Sequence, residues 1–187
     1  MIEYREVLRI PSERIGVLIG KNGEVKKRIE EELGIKLEIN SSTGQVTIIC
    51  DEEVRDPAAP LKAKNIVMAI GRGFSPESAF LLFNDAYTLD IINLREIVGD
   101  SKASLIRVKG RVIGEKGKAR RNIESMTNTK ISVYGHTIGI IGEPEMVRIA
   151  REGIMKLIKG AMHSTAYRYI SREVAKVKAQ EMGLRIF

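Results

Sequence analysis

The sequence has almost nothing from which covalent or metal-stapled folds are built. It holds one cysteine, two histidines and no tryptophan in 187 residues. One cysteine closes no intramolecular disulfide, and Cys50 with His136 and His163 falls short of a four-ligand zinc site. Cys50 ends the apolar run Val46-Thr47-Ile48-Ile49-Cys50 and reads as a small core residue rather than a nucleophile. No stretch approaches the roughly 18 consecutive apolar residues of a membrane helix. The first nine residues carry Glu3, Arg5, Glu6 and Arg9 where a signal peptide needs an apolar run. The expectation is a soluble, cytoplasmic protein with no membrane partner, no metal and no cofactor.

What is present is positive charge, unevenly spread. The net charge is +7. Residues 1–75 hold 12 Lys+Arg and 12 Asp+Glu, whereas residues 76–187 hold 19 and 12. Between 102 and 121, Lys102, Arg107, Lys109, Arg111, Lys116, Lys118, Arg120 and Arg121 face Glu115 alone. Such a run repels itself unless an anion lies nearby, which points to a polyanionic partner for the C-terminal part.

The chain also repeats itself. Gly16-Val17-Leu18-Ile19-Gly20-Lys21-Asn22-Gly23 resembles Gly110-Arg111-Val112-Ile113-Gly114-Glu115-Lys116-Gly117 at an offset of 94 residues. The match runs on without a gap through Ile29/Ile123, Glu30/Glu124 and Lys36/Lys130, with seven identities in the 24 positions from 16 to 39. That period is too long for a solenoid and fits two copies of one small domain.

Each copy predicts the same order of elements. In the first, residues 4–10 read as a strand stopped by Pro11, and Ser12 as the cap of a helix to about Leu18. Gly20 to Gly23 is a turn, 24–33 a helix stopped by Gly34, 36–40 and 45–50 strands, and 58–71 a helix. In the second, a strand 87–93 and a helical insert 94–98 precede helix 102–112, turn 114–117 and helix 118–126. Strands 130–134 and 137–141 and a helix from Pro144 to about Ile158 complete it. A further helix, roughly 165–181, has no counterpart in the first copy. Residues 72–84 read as a joint, with Phe80, Leu81, Leu82 and Phe83 as its packing or a partner site. The expected domains are 1–78 and 79–187.

The order β-α-α-β-β-α, with Ile-Gly-x-x-Gly between the first two helices, resembles the type I KH family over about residues 4–72 and 86–160. With 17 glycines in the chain, the spacing alone is weak. A third instance, Gly139 to Gly142, falls in a predicted strand and is rejected. The weight lies in the helix–turn–helix context and its repetition. The resemblance implies an α+β fold of two KH modules, each a three-stranded sheet backed by helices, with an extra C-terminal helix. It also implies a groove clamping about four nucleotides of single-stranded RNA against each loop.

Glycines remove the side-chain wall, so a sugar-phosphate strand can lie close, and a helix N-terminus there favours a phosphate. The expected contacts in the second module are Gly110, Arg111, Ile113, Gly114, Glu115, Lys116, Gly117, Lys118, Arg120 and Arg121. Those in the first are Gly16, Ile19, Gly20, Lys21, Asn22, Gly23, Lys26 and Lys27. Bases would lie over Ile19 and Ile113, and the adjoining strands, with Leu37, Ile39, Ile131 and Val133, would offer backbone groups to base edges. Glu115 opposes a phosphate locally.

Three residues after the second loop glycine, many KH domains carry Ile or Leu, and here stand Lys26 and Arg120. This variation, with Tyr167-Arg168-Tyr169 in a C-terminal helix, resembles the Partner-of-Nob-one and KRR-type factors of small-ribosomal-subunit assembly in their archaeal form. That resemblance implies binding near the 3′ end of small-subunit ribosomal RNA beside an endonuclease or another assembly or translation protein. Eukaryotic relatives have a degenerate first loop. Here Gly20 and Gly23 remain, although the zero net charge of that module suits protein docking.

Catalysis finds little support. Gly114-Glu115-Lys116-Gly117-Lys118 superficially resembles a phosphate loop, but Val112 and Ala119 stand where that motif needs Gly and Ser or Thr. The acids Glu30 to Glu32 and Glu143/Glu145 read as surface charge. The first set, with Asp51 to Glu53, offers a possible face for a basic protein. The chain is expected not to be an enzyme.

Overall fold

The computed structural model describes residues 4–51 and 54–183. They form two compact units that divide between Asp85 and Ala86. Residues 1–85 carry 12 Lys+Arg against 14 Asp+Glu, and residues 86–187 carry 19 against 10, so the charge contrast sharpens on the structural division.

The first unit runs β1 (Tyr4–Arg9), α1 (Ser12–Ile19), α2 (Glu24–Leu33), β2 (Lys36–Asn40), β3 (Gln45–Cys50), α3 (Ala59–Gly71) and the short α4 (Pro76–Ala79). Its sheet is antiparallel in the order β1-β3-β2. The central β3 buries Val46, Ile48, Ile49 and Cys50. Ser12 is the first helical residue and Pro11 the cap position, with no side-chain cap. Proline's fixed φ suits the entry to a helix without a capping hydroxyl.

The second unit runs β4 (Thr88–Asn93), α5 (Leu94–Val98), α6 (Lys102–Ile113), α7 (Lys118–Thr127), β5 (Lys130–Tyr134), β6 (Thr137–Gly142), α8 (Pro144–Ile158) and α9 (His163–Glu181). Its sheet order, β4-β6-β5, repeats that of the first. The rejected glycine pair 139–142 lies in β6, the fully buried central strand. Gly34 ends α2 in the left-handed region at φ 64°, and Asn128 ends α7 in the same region at φ 50°. Asparagine tolerates that conformation next best, so one stop survives a change of residue.

Residues 75–84, assigned in part to the second module by sequence, fold onto the first. Ala79 and Leu82 are buried. Phe80 stacks on Phe83 with ring centroids 5.2 Å apart, and the Arg28 guanidinium lies 4.4 Å from the Phe80 centroid.

The C-terminal helix is part of the second core. Ala166, Ile170 and Val174 of α9 are buried at helical spacing. A Cβ on Gly153 of α8 would lie 2.5 Å from Ile170 Cδ1, so the missing side chain is what lets α9 seat. Ile170→Ala should therefore cost about 2–5 kcal/mol in a urea denaturation. Truncating the exposed Met182 should leave the midpoint unchanged.

Candidate nucleic-acid interface

The two predicted loops have one geometry. The first glycine of each is left-handed in φ and extended in ψ: 76°/174° at Gly20 and 73°/177° at Gly114. The third loop residue is left-handed although it is not glycine, at φ 54° for Asn22 and 51° for Lys116. The second glycine follows at φ 77° and 75°.

The glycines do different jobs. A Cβ on Gly20 would lie 2.4 Å from Val25 Cγ2 and 2.9 Å from the Val25 amide nitrogen. On Gly114 it would meet the Ala119 Cβ at 2.6 Å and the Ala119 nitrogen at 2.8 Å. The first glycine thus closes the second helix against the first, which is a packing role. A Cβ on Gly23 would meet nothing within 4 Å, and one on Gly117 would meet the guanidinium ends of Arg121 at 2.9 Å and Arg120 at 3.9 Å.

The turn engages the amide of Gly20 with the Gly16 carbonyl at 2.9 Å and that of Gly23 with the Gly20 carbonyl at 3.2 Å. Gly114 and Gly117 repeat this at 2.8 and 3.2 Å. The two middle amides of each loop, Lys21/Asn22 and Glu115/Lys116, make no such turn bond among the described residues. Neither α2 nor α7 has a side-chain cap at its start. Each loop therefore offers open amides beside an uncapped helix N-terminus, which suits an anion.

Gly16 and Gly110 are exposed and inside helices, and a Cβ on either would meet nothing within 4 Å. Glycine inside a helix costs roughly 0.5–1 kcal/mol against alanine. Packing gives no return on that cost at either position. Ile19, Ile39, Ile113 and Val133 are half-buried, and Val133 packs against the core of the second unit.

Several expected residues are placed otherwise. Arg111 points away from its loop. Its Nε donates to the Leu157 carbonyl at 2.9 Å, and Nη2 donates to that of Ala161. It caps the C-terminus of α8, where orphan carbonyls and the helix dipole attract a cation. In the first unit Arg14 does the same for α3, donating to Ile70 and Phe74 carbonyls at 2.7 Å each. Ile131 is buried in the core, as is Leu37. The Ile131 amide is taken by Glu124 Oε2 at 3.1 Å, so it is not open to a base edge. Arg120 pairs with Glu124 at 2.8 Å, and Arg121 donates to the Lys116 carbonyl at 2.7 Å. Lys26, Lys27 and Arg28 pair with Glu30, Glu31 and Glu32 one turn on, at 3.4, 3.6 and 3.8 Å. The acids expected to form a docking face are largely neutralised there, and Glu52 and Glu53 lie outside the described residues.

Lys116 and Lys118 are exposed, with no side-chain partner among the described residues. The first turn of α7 holds Lys118, and that of α2 holds Glu24. A lysine at a helix N-terminus opposes the dipole, whereas a glutamate satisfies it. The second loop sacrifices helix stability and gains anion attraction, and the first does the reverse.

Proteins of known sequence and structure resemble this chain over most of its length. A model of the eukaryotic-type KH domain (type I), drawn on the second KH domain of PNO1, matches residues 88–175. A general KH-domain model matches residues 5–60. The chain is 51% identical to a KH domain-containing protein of Methanocaldococcus jannaschii, over 96% of this chain and 78% of that one. It is 31% identical to the RNA-binding protein PNO1 of Oryzias latipes, over 95% of this chain and 73% of that one. The chain belongs to the PNO1 family of tandem KH proteins. Among solved structures of this family, Dim2p of Pyrococcus horikoshii superposes with a TM-score of 0.84 at 48% identity, covering 90% of this chain and 99% of that one. The Pyrococcus complex of a/eIF2alpha, aDim2p and rRNA gives 0.87 at 47% identity, covering 93% and 96%.

Among the described residues no group of three or more His, Cys, Asp or Glu could hold a metal ion, and no helix is long and apolar enough to cross a membrane.

Three stability outcomes follow from the loop and helix geometry. Gly114→Ala should cost more than about 1 kcal/mol, because the backbone is strained and Ala119 leaves no room. Gly110→Ala should stabilise by about 0.5–1 kcal/mol. Lys118→Glu should also stabilise, by about 0.3–1 kcal/mol at low salt. Urea titrations of the three variants check all of this.

Proposed function

We propose that the protein binds single-stranded RNA through its two KH grooves, on small-subunit ribosomal RNA near its 3′ end, during ribosome assembly. The observation that carries this is the pair of solvent-facing helical glycines, Gly16 and Gly110, each beside a loop with open amides. A fold without a ligand would fill those positions. The named company of the relatives supports the ribosomal part: a yeast member is a pre-rRNA-processing protein, and a Pyrococcus member is held in a complex with rRNA and a/eIF2alpha.

In this reading the Lys21/Asn22 and Glu115/Lys116 amides hold phosphates. Gly16, Gly23, Gly110 and Gly117 let the strand approach, Ile19 and Ile113 carry bases, and the strands at Ile39 and Val133 offer backbone groups to base edges. Lys116 and Lys118 add charge, and Lys27 and Arg121 lie at the margin. Gly20 and Gly114 hold the turn shut. Arg111 and Ile131 act through the fold alone. The protein acts in the cytoplasm by binding, with no reaction of its own, beside an endonuclease or a translation or assembly protein.

The second module is the stronger RNA reader, because its loop and α7 carry unpaired cations. The first, with the cations of α2 paired and an acidic balance, extends the site or docks a basic protein.

The test is a fluorescence-anisotropy titration with a dodecamer from the 3′ end of small-subunit ribosomal RNA and with its scrambled version. Preference for the ribosomal sequence is expected, with a steep loss of affinity as salt rises. Lys116→Asp should weaken binding more than Lys21→Asp and lower the salt slope by about 1. Gly110→Leu should weaken binding without weakening the fold. Equal binding to both RNAs would leave a general RNA-binding protein, and no binding at low salt would leave a protein-docking scaffold.

A further inference from the structure

One surface of the second unit is used neither by its core nor by its loop. Helices α8 and α9 pack together, and an open cleft of about 480 Å³ lies along their junction, lined by Arg151, Glu152, Met155, Lys156, Lys159 and Tyr169. The acids here are already taken. Glu152 holds Arg148 at 3.0 Å, and Glu173 on α9 lies 3.2 Å from Lys176 and 3.4 Å from Arg172. Arg151 pairs with Asp90 at 2.7 Å. Lys156 and Lys159 have no acid partner among the described residues, and Lys159 is exposed.

Tyr169 orders the cations. The Lys156 ammonium lies 4.6 Å from its ring centroid and the Arg172 guanidinium 5.7 Å. The ring packs against the core of the unit, so it is a fixed platform. A carboxylate would hold a lysine and cancel its charge, whereas an aromatic face holds it through the ring quadrupole and leaves the charge in place.

The end of α8 does not account for the lysines. Orphan carbonyls at a helix C-terminus attract a cation. Arg111 already serves them, donating to the Leu157 and Ala161 carbonyls. Lys156 and Lys159 are three residues apart, and like charges at that spacing weaken a helix end when no anion lies nearby.

We infer that this cleft is a second RNA-backbone site, outside the KH grooves, in which Lys156, Lys159 and Arg172 take phosphates. The inference rests on the RNA-binding reading above and adds a contact that the loops do not make. Lysine meets a phosphate as a point charge and arginine through its fork of donors. Cations ordered beside an aromatic ring in an open cleft suit a single strand, which carries charge and planar bases along its length. The same unit bears the unpaired loop cations Lys116 and Lys118, so a strand that leaves the groove stays in a positive field.

The experiment titrates the full chain by anisotropy, at several salt concentrations, with an RNA of about six nucleotides, enough for one groove, and with a single strand of about 30 that contains it. Lys156→Gln with Lys159→Gln should weaken the longer strand roughly tenfold and lower its salt slope by about 1.4, the share of two phosphate contacts on a single strand, and should leave the short one unchanged. Tyr169→Phe, which keeps the ring, should bind as the unsubstituted chain does, and Tyr169→Leu should show part of the loss. Lys176→Gln with Lys178→Gln removes the same charge from α9 outside the cleft and should move the slope far less. Equal effects of the two lysine pairs overturn the inference, because net charge alone then accounts for both. So does an unchanged affinity of the Lys156/Lys159 variant for the longer strand, or an equal loss for both strands, since the cleft is then no separate contact. A variant that loses polyglutamate binding and keeps its RNA affinity also overturns it and assigns the cleft to an acidic protein. Each of these leaves RNA binding by the grooves standing. Failure of the unsubstituted chain to bind either strand at low salt sinks both readings.

Discussion

Everything at the candidate interface depends on one close approach: the backbone of the second helix against the first glycine of the loop. Val25 and Ala119 come so near Gly20 and Gly114 that a single added carbon would overlap them. This contact fixes the angle between the helices. It also forces the left-handed turn that leaves the two middle amides without internal partners. The open amides beside the uncapped N-termini of α2 and α7 follow from that junction. A pattern that looks like a ligand motif is first a packing solution, and its openness to an anion is a consequence.

The two copies share this frame and diverge in charge. In the first, each cation of α2 has a glutamate one turn on, and Glu24 satisfies the helix dipole. In the second, Lys118 opposes the dipole and Lys116 stands unpaired in the loop. Charge that destabilises an isolated helix stabilises an anionic complex, so the imbalance between modules reads as a division of labour built on one scaffold.

The repeat, the element order and the sheets were legible in the sequence because periodicity and glycine punctuation are local signals. The fully buried β6 was readable as an apolar run, and α9 as a periodic helix. What was not legible depended on long-range geometry. Arg111 looked like a loop cation because it precedes Gly114 by three residues, yet its side chain leans to the end of α8, which only the packed fold brings near. Residues 80–83 looked like a joint because they are apolar and follow Pro76, whereas Ala79 and Leu82 sink into the first unit. Ile131 alternates as a groove residue should, but it is buried in the core, and Val133 on the same face of β5 packs against that core. The bond from Glu124 to β5 was half visible: the identity of Glu30 and Glu124 across the repeat marked the position, and nothing in the spacing named the strand amide it meets.

An amide-resolved NMR titration of the whole chain with a single-stranded RNA dodecamer asks whether the repeated turn is the contact surface. The predicted result is that the largest shifts fall on Gly110, Glu115, Lys116 and Gly117, with smaller ones on Gly16, Lys21, Asn22 and Gly23. Shifts confined to β1, β4 or the outer face of α9, with both loops silent, would contradict it.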